Sequence, residues 1–334
     1  MADFTIPSTL FSGGDADSYS LPNFIGELFS LMPQVTPVLT MAGGLNGGRS
    51  IAARDFTWQA EDGEPASATA QVVENAAPTG DLVPRQTIGN VVEIHQEAVE
   101  FGYTAQAVVD QLGTAAVNAT TGVVLDGSQP VQDPMQHQIN LKIGKIKRDV
   151  EMSFINGTYN APTSNATARR TRGLLQAIDT HKVNYTTGSY TTIKDALNDL
   201  LLDMAAPTAE ANTSQFGQPI IVINPAQKIT LSNEYSNSGA LAPRDRNVGG
   251  VDIDTLVTDF GTFGVVMDRF LPAGNLLVLD FDVIRPVLLP IPGKGVFFVE
   301  PLAKSGATDK AQIYGEIGLE YGPDSYHGKI TLIT

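Results

Sequence analysis

The chain has 334 residues, 42% hydrophobic and 17% charged, with no cysteine and a formal net charge of −15. That length buries a sizeable core as one large domain or two moderate ones. The missing cysteine excludes disulfides, thiolate catalysis and Cys-ligated zinc, and the acidity excludes strong sequence-specific nucleic-acid binding, which needs clustered Lys and Arg to neutralise phosphates.

Residues 1 to about 47 contain Pro7, Pro22, Pro33 and Pro37 with Gly13-Gly14 and Gly43-Gly44, leaving room only for a short helix around Phe24 to Leu31. We read 1–49 as an extended arm, of a kind that frays alone and is held down by neighbouring subunits. The start, Met1-Ala2-Asp3-Phe4, has no basic region ahead of an apolar stretch. No run approaches the roughly 20 apolar residues that span a bilayer. The expectation is a chain without membrane contact, made and kept in the cytoplasm, with an uncleaved start.

From Ser50 to about Val92, two β-prone pieces, Arg54–Trp58 and Arg85–Ile88, flank a polar middle with Pro65, Pro78 and Pro84. This predicts a long two-stranded excursion over 50–92, which is marginal alone and rests on another surface. Val91 to Phe101 continues as strand with Glu93, His95 and Glu97 on one face, and Thr104 caps a short helix through Leu112.

The clearest element is a helix over 134–155. Asp133 is its cap and Pro134 its first residue, Ile139, Ile143, Ile146, Val150 and Phe154 recur at helical spacing, and Asn156-Gly157 supplies the stop. After a polar loop, Ile193 to Met204 reads as a second amphipathic helix and Pro219 to Ile223 as a buried strand. Asn224-Pro225 opens a third helix through Leu231. The remainder is mostly strand, over Val265–Met267, Leu276–Asp280, Val296–Val299 and Gln312–Tyr321. With 32 Gly and 20 Pro, the whole predicts a mixed α+β fold with long loops.

No catalytic constellation emerges. Gly322 to Lys329 resembles a phosphate-binding loop, but five residues separate its glycines and Ile330 stands where Ser or Thr would hold magnesium, so a turn before the last strand is expected. His95, His137, His181 and His327 have no second ligand at i+4. The pairs Asp15/Asp17, Asp252/Asp254 and Asp280/Asp282 lack a full calcium-loop pattern and are read as solvated or capping. We expect no enzyme, no cofactor and no metal. Basic residues cluster at Lys142, Lys145, Lys147 and Arg148 and at Arg169, Arg170 and Arg172. Contact with acidic patches of neighbours or with packaged DNA, and a solvated face, are both open readings.

The element order, and the stretches Arg169-Arg170-Thr171-Arg172-Gly173-Leu174, Thr258-Asp259-Phe260-Gly261, Arg269-Phe270-Leu271-Pro272, Pro301 to Gly306 and Gly315 to Glu320, resemble the tailed-bacteriophage major capsid (major head) protein family with its Johnson fold. The resemblance spans most of the chain and is diffuse. It implies copies arranged as pentamers and hexamers in an icosahedral head enclosing double-stranded DNA without sequence specificity. Portal and decoration or scaffolding proteins are the further partners it implies.

On this sequence it implies an arm at 1–49, an extended loop at 50–92 lying over the next subunit and a peripheral domain at 93–173 with spine helix 134–155. An axial domain at 174–265 and late strands at 266–334 returning to the peripheral domain follow. The residues expected at subunit contacts are Arg54, Trp58, Arg85, Lys145, Arg148, Arg169, Arg170 and Arg172. The low charge fits a surface covered by neighbours, and an acidic wall fits a container from which DNA slides free. An encapsulin-like bacterial compartment is the alternative with the same fold, and an enzyme with an unrecognised site is a third reading.

Overall fold

The computed structural model describes residues 35–61, 69–77, 80, 82, 85–104, 134–164, 166–185, 189–205, 219–236, 241–248, 251–304 and 306–332. The arm ahead of Val35, the helix around Phe24 to Leu31, most of the helix beyond Thr104, the Asp133 cap and the Asp15/Asp17 pair lie outside these residues.

In chain order the first half holds α1 (Pro37–Ala42), β1 (Arg49–Ser50), β2 (Asp55–Glu61), β3 (Arg85–Val91), β4 (Glu93–Gly102), α2 (Pro134–Asn156) and α3 (Leu174–Ala177). The second half holds β5 (His181–Tyr185), α4 (Ile193–Ala205), β6 (Pro219–Ile223), α5 (Pro225–Ser236), β7 (Leu241–Val248), β8 (Val251–Thr258) and β9 (Gly261–Met267). It ends with β10 (Asn275–Asp280), β11 (Arg285–Leu288), β12 (Phe297–Pro301), β13 (Thr308–Glu320) and β14 (Gly328–Leu332).

The 23 residues of α2 span about 34 Å at 1.5 Å each. Ile139, Ile146, Val150 and Phe154 are buried on one stripe, as the spacing predicts. The helix lies along a five-stranded sheet in which long β13 pairs with β11 and β12 on one side and β4 on the other, with β1 beside β11. Lys142 (2.9 Å) and Lys145 of α2 both bond Glu97 of β4, fixing helix to sheet. Burial alone would raise Glu97, but the hydrogen bonds from Lys145 and Lys142 outweigh it and hold its carboxyl below the usual range.

A second, seven-stranded sheet runs β5-β14-β10-β6-β9-β8-β7. Four consecutive buried residues of β6 explain why it sits centrally: Ile220 and Val222 pack into the core shared with α2, while Ile221 and Ile223 face a second core with Leu197, Leu200 and Met204 of α4. Asn224 caps α5 through its Oδ1, which accepts Ala226 N–H at 3.0 Å. The segment 266–334 divides between the sheets, with β10 and β14 in the seven-stranded one and β11, β12 and β13 in the five-stranded one.

Two local readings change. The stretch read as arm through residue 49 holds α1, which opens with Pro37 as its first residue and buries Val38, Leu39 and Ala42 against α2. Six residues between a proline and two glycines are too few for a periodic signal. The region 241–258, left without an assignment, is the β7–β8 hairpin.

His327 is fully buried behind the Asp324–Tyr326 turn, which is the turn expected before the last strand. Its Nε2 donates to Tyr321 O at 2.6 Å and its Nδ1 accepts Asp280 N–H at 3.2 Å, so the ring is neutral. Burial pushes its pKa below the ordinary value. The folded state therefore refuses a proton that the unfolded chain takes below about pH 6.5, and stability falls as pH falls through that window by up to about 1.4 kcal/mol per unit. Urea unfolding of unassembled subunits at pH 7 and 5 checks this. A His327→Gln variant, which keeps a donor and an acceptor but does not titrate, is expected to lose this part of the slope.

Candidate functional site: the assembly surface

The Arg-rich stretch is threaded between the end of α2 and β13. Asn160 and Arg170 exchange both backbone hydrogen bonds at 3.0 Å, and Gly173 N–H donates to Gly157 O at 2.9 Å. The two glycines touch backbone to backbone: a Cβ on Gly173 would lie 2.5 Å from Gly157 N and 2.8 Å from Ser153 O. This is the physical reason that the stretch runs into a glycine.

Thr171 N–H donates to Glu93 Oε2 at 3.1 Å, and Glu93 Oε1 meets His95 Nε2 at 2.8 Å. Asn90 closes the junction with four bonds, donating to Leu319 O (2.8 Å) and Arg172 O (3.2 Å) and accepting from Arg172 N–H (2.8 Å) and Val91 N–H (2.9 Å). Arg169 Nη2 donates to Glu316 Oε2 at 2.9 Å with both side chains largely buried. The other oxygen of Glu316 accepts from Tyr314, whose hydroxyl pKa is pushed up to about 12 by burial and by that carboxylate. Arg172 lies over the Tyr159 ring at 4.7 Å and donates to the Tyr321 hydroxyl at 3.3 Å.

The antiparallel ribbon of β2 and β3 pairs from Asp55↔Val91 to Glu61↔Arg85. Its inner face rests on the subunit through Phe56 and Trp58. Trp58 donates its indole N–H to Gly322 O at 3.0 Å and meets Tyr321 edge-on at 5.0 Å. An Arg85–Glu61 ion pair at 3.0 Å closes the last register pair. Beyond it, Val72, Val73 and Leu82 are 81%, 79% and 90% exposed. Adjacent exposed apolar side chains such as Val72 and Val73 mark a candidate contact site.

The eight residues expected at contacts therefore separate. Trp58, Arg169 and Arg172 use their polar groups inside the subunit. Arg54 bonds its neighbour Asp55 at 3.0 Å, Arg85 pairs across the ribbon, and Lys145 pairs with Glu97 and, at 3.7 Å, Asp149. All three stay exposed, as does Arg170, while half-buried Arg148 has no ion-pair partner among the described residues. Arg169 and Arg170 border a surface cleft of about 430 Å³ with His95, Ile94 and Met152.

Asn90 and Glu93 were missed as organising residues, and the signal for Glu93 was a carboxylate at the start of an otherwise alternating strand. Asp280 of the Asp280/Asp282 pair is buried and accepts Asp282 N–H at 3.0 Å, a capping role. Among the described residues no group of three or more His, Asp or Glu side chains is placed to hold a metal ion. No helix among them is long and apolar enough to cross a membrane.

The model of the family described as SU10 major capsid protein matches residues 8–334. The chain belongs to that family. It is a structural capsid protein of the virion, not an enzyme, and it assembles into multimeric shells. Among curated proteins no sequence matches it.

The capsid protein's fold is that of tailed-phage capsids. It matches the capsid of cyanophage A-1(L) with a TM-score of 0.61 and 13% identity over 94% of this chain and 97% of that one. The capsid of cyanophage P-SCSP1u matches at 0.58 and 12%, over 99% and 100%. The SrpI encapsulin complex from Synechococcus elongatus PCC 7942 matches at 0.54 and 13%, over 95% and 93%. Identities this low speak for the fold alone, so the family match separates a phage head from an encapsulin.

Proposed function

We propose that the capsid protein forms the pentamers and hexamers of an icosahedral phage head around double-stranded DNA, with the 50–92 ribbon lying over the next subunit. The observation that carries this reading is the pair Val72 and Val73, held outward beyond a ribbon whose root is fastened to the subunit by Trp58. Arg54, Arg85, Arg148 and Arg170 are the cations placed for contact with the acidic surface of a neighbour. In this scheme 93–173 forms a peripheral domain and 174–265 an axial domain. Portal and scaffolding or decoration proteins complete the head, and DNA is enclosed without sequence readout, consistent with the net charge of −15.

Electron microscopy of the protein expressed alone tests the reading: closed shells, or rings of five and six, are the expected result. Shells that co-purify with an enclosed enzyme would favour a compartment of the encapsulin kind instead. Replacing residues 62–82 by a short Gly-Ser link is expected to leave a folded subunit that makes no stable shell. Normal particles from that variant would remove the ribbon from the contact scheme.

A further inference from the structure

Glu151 sits in α2 with no exposed surface, and its carboxyl accepts from the first N–H groups of α1: Val38 on Oε1 at 2.8 Å and Leu39 on Oε2 at 2.6 Å. These bonds replace a local cap, since Thr36 makes no side-chain bond to the helix. Within hydrogen-bond reach of Glu151 is Asp268, equally buried, just past β9. Its Oδ1 accepts Phe270 N–H at 2.7 Å, while its Oδ2 receives no donor among the described residues.

Two touching carboxylates in a dry core do not both ionise. A single proton shared between Asp268 Oδ2 and the Glu151 carboxyl satisfies the orphaned oxygen and leaves the pair with one negative charge against the amides of α1. Burial first, then the charge of Asp268, raises Glu151 well above the usual carboxylate range, and burial raises Asp268.

Among the described residues no cation relieves the pair. α1 and α3 carry no titratable side chain, nor does β6. On α2 the nearest charges are exposed Lys147, half-buried Arg148 and Asp149, which pairs with Lys145. β4 and β13 bring Glu93, His95, Glu97, Tyr314 and Glu316, all engaged in the contacts described above, while Lys310 pairs with Glu100 at 3.1 Å, Asp309 with Lys304 at 2.8 Å and Glu320 with Arg49 at 3.5 Å. Arg269 beside Asp268 is exposed, Arg285 of β11 donates to Asp282 O, and Asp254 of β8 pairs with Lys228 at 2.5 Å.

We propose that Glu151 and Asp268 form a one-proton latch that fastens the start of α1 to the long helix, and that loss of the proton opens it. The latch stands independently of how subunits contact one another. Closed, it holds one proton more than the open form, in which both carboxyls meet water and ionise above their ordinary range near pH 4. The opening equilibrium therefore rises about tenfold per pH unit between that range and the raised value of the closed pair.

Hydrogen exchange of a peptide covering residues 36–42 in assembled full-length protein, normalised to the intrinsic exchange rate, reads this directly. Above pH 5.5 the opening constant is expected to rise with pH, by up to about tenfold per unit, until the closed pair itself loses its proton. In an Asp268→Asn variant, which keeps an N–H toward Glu151 but does not titrate, the constant is expected to be flat. A flat wild type, or an unchanged slope in the variant, would overturn the latch. Should that variant not assemble, infrared spectroscopy of the wild type at about pH 5.5 decides: the band of one buried protonated carboxyl per chain is expected, and its absence overturns the proposal.

Discussion

Replacing Arg169 by alanine is expected to lower the unfolding free energy by about 3–5 kcal/mol, because the variant leaves Glu316 buried with a hydroxyl as its remaining partner. The guanidinium and carboxylate are 16% and 8% exposed, so little solvent screens the loss. Urea unfolding of unassembled subunits is the measurement. The companion variant Arg169→Met with Glu316→Gln removes both charges and is expected to recover most of the loss. Arg170→Ala, one residue along and exposed, should change stability by less than about 0.5 kcal/mol. A loss at Arg169 below about 1 kcal/mol would mean that the pair behaves as a surface ion pair.

Gly173→Ala is the second large effect. The added methyl meets Gly157 N at 2.5 Å, Ser153 O at 2.8 Å and Ile155 O at 2.9 Å, all backbone atoms at the end of α2 that cannot step aside as a side-chain tip can. Either the Gly173–Gly157 hydrogen bond opens or the last turn of α2 shifts, at a cost of about 3 kcal/mol. Gly102→Ala is the control, since a methyl there meets nothing within 4 Å. Equal unfolding midpoints for the two variants would show that the α2 terminus relaxes freely.

These two residues also mark where sequence reading succeeds and stops. The string Arg169 to Leu174 is legible as a signature, and the helix before it is legible because Ile139, Ile146, Val150 and Phe154 keep one period over four turns. The paired ribbon strands were legible from β-prone pieces bounded by prolines. What a linear string cannot display is that Arg169 and Arg172 turn inward, because Glu316 and Tyr321 lie some 150 positions away. Basic residues next to one another read as one patch, yet here alternate ones are buried and Arg170 is exposed. Asn90 and Glu151 were invisible for the same reason: each satisfies backbone groups brought near only by the fold, Arg172 and Leu319 for one and Val38 and Leu39 for the other. The hairpin of β7 and β8 was missed because Pro243 and the charges around it contradict strand propensity; they fall in the register shift between Ala242 and Arg246, where the ladder is interrupted.

The position of β13 sets a schedule for synthesis. Strands β4, β11 and β12 all pair with residues 308–320, and the ribbon's Trp58 waits for Gly322. A nascent chain carries the ribbon and α2 out of the ribosome well over a hundred residues before β13, the strand that both contact. The ribbon therefore cannot be set at its final angle until nearly the whole subunit has been translated.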